Sequence, residues 1–239
     1  VKGLRDRIGE DEVVSKLLIQ GLAEAFGVEF DIPLGLYSGE HVEVFGQKRN
    51  DMIDALLAGR LNSVTVRANG DMVANEAING GILCGSFDPL HQGHQQLVSV
   101  SELILNNSVI YELSVTNVDK PDLEELEVRS RISQFAGSAP VIITRTPTFT
   151  GKAQMFPGCT FVVGWDTAIR LVDPRYYGGE ERQMTKSLAG IMERGCRFLV
   201  AGRMVGAVFH SLSEIRIPDR FQYMFKSIPE TKFRHDESS

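Results

Sequence analysis

The chain has 239 residues, 43% of them hydrophobic and 23% charged, with a formal net charge of -6. That composition supports a sizeable core and excludes disordered, collagen-like and coiled-coil chains, and the acidic balance argues against a nucleic-acid binder, which carries a basic surplus. Residues 1–80 hold 8 Lys+Arg against 13 Asp+Glu, net -5, and residues 81–239 hold 17 against 18, net -1, so the later part accepts an anionic small molecule without a repulsive field.

Residues 9–27 carry apolar side chains at Val14, Leu17, Leu18, Leu22 and Ala25, a helical spacing opened by acids and stopped by Gly27. Residues 28–47 read as a connector, and a second helix is predicted from about Gln47 to Ala58. Alternation on both sides of Asn69-Gly70 predicts a hairpin. Asn79-Gly80-Gly81 then marks the expected boundary between an N-terminal extension (1–80) and a main domain (81–239). There, strands are expected at 81–86, 108–117, 140–145, 160–164 and 196–203, with helices at 93–106, 122–136, 166–172 and 180–194. Short apolar strands alternating with helices predict an α/β fold: a Rossmann-like parallel sheet with helices on both faces, plus a small N-terminal α/β extension. Ligands of such sheets sit beyond the carboxyl ends of the strands, so a site is expected in the strand-end loops.

The three cysteines, Cys84, Cys159 and Cys196, lack C-x-x-C spacing and read as buried reduced thiols of a cytosol-like compartment. No apolar stretch reaches membrane length and no signal peptide opens the chain, so a cytoplasmic protein with no membrane partner is expected. The chain opens on Val1 rather than Met, so a fragment that has lost a targeting segment is also allowed for.

The loop after the first main-domain strand reads Gly85-Ser86-Phe87-Asp88-Pro89-Leu90-His91-Gln92-Gly93-His94 and runs into a helical pattern. It has the makings of a phosphate site. Gly85 allows close backbone approach, Pro89 fixes the turn, and His91 and His94, three apart, share a face of the first helical turn. Gly93 removes a side chain that would block a ligand, and the helix N-terminus adds N–H groups and a positive dipole end. Two imidazoles can donate to phosphate oxygens. A bare H-x-x-H pair is common, and a metal pair would need a third ligand at a familiar spacing, so no metal site is expected. Strand, G-S-F-D-P-x-H-x-G-H and helix in succession are much more specific.

This segment resembles the H-x-G-H signature of the nucleotidylyltransferase superfamily, and its full form looks most like the nicotinamide/nicotinate mononucleotide adenylyltransferase branch. The resemblance runs in order over residues 81–239 and implies an adenine nucleotide α-hydrolase-like version of the fold. It implies that Gly85, Ser86, Phe87 and Gly93 belong to the nucleotide-binding loop, and that Lys120, in Asn117-Val118-Asp119-Lys120-Pro121, lies near the phosphates. Gly164-Trp165-Asp166-Thr167 resembles the family's G-x-D segment, which implies that Gly164 and Asp166 meet the ribose and base; Arg203 stands where the family commonly has an arginine. By themselves, Lys120-Pro121 would be a solvated turn, Asp166 a helix N-cap, and Trp165 either a base-stacking or a core residue. Arg145 and Lys152 flank a Thr/Pro loop at another strand end and are candidate phosphate contacts.

The family's second signature, S-S-T-x-x-R, is imitated poorly by Ser211-Leu212-Ser213-Glu214-Ile215-Arg216 and better by the terminal Ser238-Ser239, although Glu237 stands where the family usually has Ile. Its Thr and Arg are therefore expected to be missing, leaving the main domain truncated and its activity open. Residues 1–27 are similar to the last helix of a competence-damage-inducible-protein C-terminal domain, a family with nicotinamide-nucleotide amidase members; by themselves those residues are more readily read as an ordinary amphipathic helix. The resemblance implies transfer of AMP from ATP to nicotinamide or nicotinate mononucleotide with release of pyrophosphate, through His91, His94 and Lys120, with Mg²⁺ bridging the phosphates. Two alternatives stay open: the same chemistry on phosphopantetheine or a CTP-dependent acceptor, and a non-catalytic ATP-binding protein on the same fold. Small-molecule nucleotides are the expected partners, with the oligomeric state undetermined.

Overall fold

A computed structural model describes residues 5–25, 28, 30–42, 52–116 and 121–233. The chain divides into two compact units, Val1–Arg49 and Asn50–Ser239. In the first, helix α1 (Arg7–Ala25) follows Asp6, whose Oδ1 accepts from the Gly9 N–H at 2.8 Å and satisfies one of the helix's unpaired donors. Val14, Leu18 and Leu22 of its apolar spacing are exposed. Hydrogen bonds from Arg5, and then from the Tyr37 N–H, hold the Glu40 carboxyl down at about 2, and the Arg5 guanidinium lies 4.1 Å over the Tyr37 ring.

The second unit is built on strands β1 (Ser63–Val66), β2 (Met72–Ala74), β3 (Gly81–Cys84), β4 (Val109–Ser114), β5 (Val141–Thr144), β6 (Thr160–Gly164) and β7 (Arg197–Ala201). A separate hairpin of β8 (Arg203–Val205) and β9 (Val208–His210) precedes the last strand, β10 (Phe225–Ser227). The main sheet has eight strands in the order β10-β7-β6-β3-β4-β5-β1-β2. Its six strands β3 to β7 and β10 run parallel and, counted from β3, follow the order 3-2-1-4-5-6 of a doubly wound, Rossmann-like sheet. The helices are α2 (Met52–Leu57), α3 (Gln92–Leu105), α4 (Glu125–Ser133), α5 (Phe149–Met155), α6 (Trp165–Leu171) and α7 (Glu181–Glu193).

The continuous apolar runs of the strands have a simple cause: both sheet faces are covered. In β6, Val162 packs in one core with Ile53 of α2, Leu97 of α3 and Val128 of α4. Its neighbours Phe161 and Val163 pack in the other, with Ala153 of α5, Ala168 of α6 and Leu188 of α7. Each fully buried Val, Leu, Ile or Phe among them contributes about 1.5–3 kcal/mol relative to exposure.

The hairpin around Asn69-Gly70 forms, but in a different place from the one expected. Its first strand, β1, is buried at all four positions and pairs antiparallel with β5, Val64 opposite Ile143. The two strands therefore extend the main sheet, and the boundary between the two compact units falls at 49/50. The alternation read as a free-standing hairpin because pairing partners far along the chain leave no local trace. All five expected strands form within their predicted ranges. Helix α5, the β8–β9 hairpin and β10 were not expected. Thr148 caps α5, its Oγ1 accepting from the Gly151 N–H at 3.3 Å, while the Thr/Gly/Pro-rich segment has low helix propensity. Among the described residues no helix is long and apolar enough to cross a membrane.

Candidate functional site

The strand order reverses between β3 and β6, the switch point at which a parallel sheet opens a crevice. A cavity of about 200 Å³ lies there. His91, Gly93 and His94 line it from the start of α3, Gly164, Trp165 and Asp166 from the end of β6 and the start of α6, and Arg203 from the start of β8, just past β7. Six of the expected site residues, far apart in sequence, thus line one cavity. Pockets that enclose a whole small-molecule ligand measure about 300–1,000 Å³, so this cavity is smaller than a site that buries one completely.

The two histidines build the entrance to α3. His91 is the N-cap: its Nδ1 accepts from the Gly93 N–H at 3.1 Å, and His94 Nδ1 accepts from the His91 N–H at 3.3 Å. This is a capping box made of imidazoles. A ring nitrogen that accepts carries no proton, so in each neutral ring the N–H sits on Nε2. The rings stack with centroids 3.7 Å apart, which keeps them side by side at the cavity. The backbone N–H groups of His91 and Gly93 are used within the box, so an anion meets imidazole donors and the helix dipole rather than those amides.

Phe87 supports the site from the core. It is fully buried, with a left-handed φ of +47°, and stands edge-on to His94, Tyr111 and Phe135 at centroid distances of 5.1, 5.4 and 5.4 Å. A Cβ on Gly85 would lie 2.7 Å from the Phe87 ring, so Gly85 makes room for that ring. From α4, Arg131 donates to the Ser86 carbonyl at 2.8 Å and to Asp88 at 3.0 Å, and pairs with Glu127. Gln134 adds a second clamp, its Oε1 accepting from the Leu90 N–H at 2.7 Å and its Nε2 donating to the Phe87 carbonyl at 3.0 Å. Sequence reasoning missed both. Their only signal is a three-residue spacing on one helix, which does not say what that face meets.

Asp166 is not the α6 cap; Gly164 holds that position. Asp166 Oδ2 accepts from Arg203 Nη1 at 2.6 Å, and its Oδ1 has no partner among the described residues. Trp165 lines the cavity with its ring 4.6 Å from the His210 ring, and its Nε1 is buried with no hydrogen-bond partner among the described residues. Arg145 is turned away from any strand-end ligand, donating to the Leu57 carbonyl at the end of α2. Ser211 and Ser213 bond each other at 2.8 Å, and neither lines the cavity. Lys120, Ser238 and Ser239 lie outside the described residues.

A larger cavity of about 620 Å³ opens on the β4–β5 side of the same strand end, and Cys84 lines both. Ser86 faces this second space, with Glu112, Lys152 and Thr167. Lys152 pairs with Glu112 in the interior. Burial pulls the Lys152 pKa down, but the Glu112 carboxylate beside it outweighs burial and holds the ammonium above the ordinary lysine value. Burial pushes the Cys84 thiol well up, and Cys84, Cys159 and Cys196 are all free thiols. Among the described residues no group of three or more His, Cys, Asp or Glu could hold a metal ion. The chain matches no protein-family model and no curated protein.

Proposed function

We propose that this chain is a nucleotidylyltransferase that moves AMP from ATP to a pyridine mononucleotide, giving the dinucleotide and pyrophosphate. The observation that carries this reading is the stacked His91/His94 capping box lining one cavity with Asp166 and Arg203 at the sheet's switch point. Two Nε2–H donors beside a helix N-terminus suit a polyphosphate. Asp166 Oδ1 can accept from a ribose hydroxyl while Arg203 holds the other oxygen, and the Trp165 Nε1 offers a buried donor to the same ligand.

In the reaction a phosphate oxygen of the acceptor forms a bond to the α-phosphorus of ATP. The bond from that phosphorus to the bridging oxygen breaks, and its electron pair leaves with pyrophosphate. Such transfer needs positioning and stabilisation of oxygen charge rather than covalent help from the protein. His94, held by the box and by Phe87, is the donor assigned to the growing charge, with His91 beside it. A divalent ion would be held by phosphate oxygens and water, since the described residues offer no clustered ligand set.

The test is pyrophosphate release from ATP with nicotinamide mononucleotide, nicotinate mononucleotide, phosphopantetheine and an alcohol phosphate as acceptors. Release with a pyridine mononucleotide alone supports the reading; ATP binding without release on any acceptor overturns it.

A further inference from the structure

The reaction above draws on Trp165, Asp166 and Arg203 but gives the rest of the β8–β9 hairpin no role. The hairpin forms a sheet of its own, and at its base Arg203 lies directly opposite His210. Side chains directly opposite on an antiparallel pair leave the same face, with Cβ atoms about 4.5–5.5 Å apart. These two meet consecutive residues at the start of α6. Arg203 Nη1 donates to Asp166 Oδ2 at 2.6 Å, and the His210 ring lies against the Trp165 ring, centroids 4.6 Å apart and planes 33° from parallel. Gly202 permits the close approach of the hairpin: it is buried, and a Cβ there would lie 2.3 Å from the Phe209 ring and 2.7 Å from the His210 carbonyl oxygen.

Trp165 and Asp166 are held by different means. Asp166 has its ion pair. The Trp165 Nε1 has no hydrogen-bond partner among the described residues, so no hydrogen bond sets the pose of the indole. Its one ring contact among the described residues is with His210. His210 is itself fixed: its Nδ1 lies 2.7 Å from Glu214 Oε2, four positions further along the chain. A carboxylate accepts only, so Nδ1 carries the proton and donates it to that bond. Trp165 and Asp166 line the cavity with His91 and His94, whereas His210 does not.

We infer that His210 is a positioning residue: held by Glu214, it keeps Trp165 in the wall of the His91/His94 cavity, and the hairpin thereby grips Trp165 and Asp166 as a pair. The consequence for nucleotide binding rests on the proposed function. An indole released from the imidazole has to be returned to its pose whenever a nucleotide binds, and the affinity falls by the fraction of molecules that have lost that pose.

Trp165 is the only tryptophan in the chain, so indole fluorescence of the whole protein reports on this one ring. His210→Ala removes the ring against it and should move the emission of the ligand-free protein to longer wavelength as the indole gains water. ATP affinity, read from the same emission during titration, should fall by roughly two- to twelve-fold, the range to which the worth of an aromatic pair converts. His210→Phe keeps a ring and drops the bond to Glu214, and should return the emission and most of the affinity. A side chain that only stabilises the fold would shift the unfolding midpoint and leave the native emission where it was. Emission or affinity unchanged in His210→Ala, or changed equally in His210→Ala and His210→Phe, would overturn the inference. Failure of the proposed function looks different: the unaltered chain then shows no response to ATP and releases no pyrophosphate, while the ligand-free spectra still decide whether His210 holds Trp165.

Discussion

The ring of His94 stands edge-on to the buried ring of Phe87, centroids 5.1 Å apart and planes at 75°. The core thereby sets the orientation of a side chain whose other neighbour is the helix cap. Phe87→Leu removes contacts to three rings, each worth about 0.5–1.5 kcal/mol. It should lower stability by roughly 1–3 kcal/mol and turnover by roughly ten- to a hundred-fold through a misplaced imidazole. Denaturant unfolding and pyrophosphate release read the two effects. A variant with native turnover would show that His94 is oriented by the cap alone.

Gly85 depends on the same ring. Gly85→Ala places a Cβ 2.7 Å from Phe87 and should cost about 1–3 kcal/mol by overpacking. In a double-mutant cycle with Phe87→Leu the two costs should be clearly less than additive, because the smaller side chain vacates the space the methyl needs. Additive costs would mean that Gly85 is required for another reason.

The clamp from α4 is testable at a single amide. Gln134→Leu leaves the Leu90 N–H and the Phe87 carbonyl without their partners, a loss of about 1–3 kcal/mol if both stay buried. Hydrogen exchange at the Leu90 amide should quicken by more than that of the β-strand amides. Unchanged exchange at Leu90 would show that the loop is held without α4.

Much of this architecture was legible because the parallel strands announce themselves locally. Strands β3 to β7 are covered on both faces, so each is a short apolar run, and G-S-F-D-P-x-H-x-G-H marks the loop between one of them and a helix. The cavity partners Asp166 and Arg203 were legible through the order of motifs. What stayed hidden depends on contacts between distant residues. Nothing near Ser63 says that it will lie opposite Thr144, and nothing near Lys152 says that its ammonium will reach Glu112, forty positions earlier. Arg145 was misread for the same reason: a strand-end arginine looks like a phosphate ligand until the carbonyls ending α2 occupy it.

Cys159 gives a prediction on the alkaline side. Burial pushes its thiol from 9.0 up to about 11. The folded state thus favours the protonated form, and the unfolded chain releases that proton first. This contribution to stability is complete below about pH 9 and is lost as pH rises through about 11. The unfolding midpoint should decline over that window, and less steeply in Cys159→Ala. Equal slopes in the two proteins would remove Cys159 from the alkaline transition.

The capping box lets the structural and chemical roles of His94 be measured apart. His94→Ala deletes the acceptor for the His91 N–H, so it should cost about 0.5–2 kcal/mol of stability in addition to the roughly 10²- to 10³-fold in turnover expected of a lost charge-stabilising donor. Gln is a favoured partner at this third helical position because its side-chain oxygen reaches back to the N-cap amide. His94→Gln should therefore recover most of the stability and little of the turnover, since it restores the cap without an imidazole N–H. Thermal unfolding and pyrophosphate release on the same two preparations decide the matter. Turnover that returns together with stability would make His94 a cap alone, and would leave His91 as the donor that faces the phosphates.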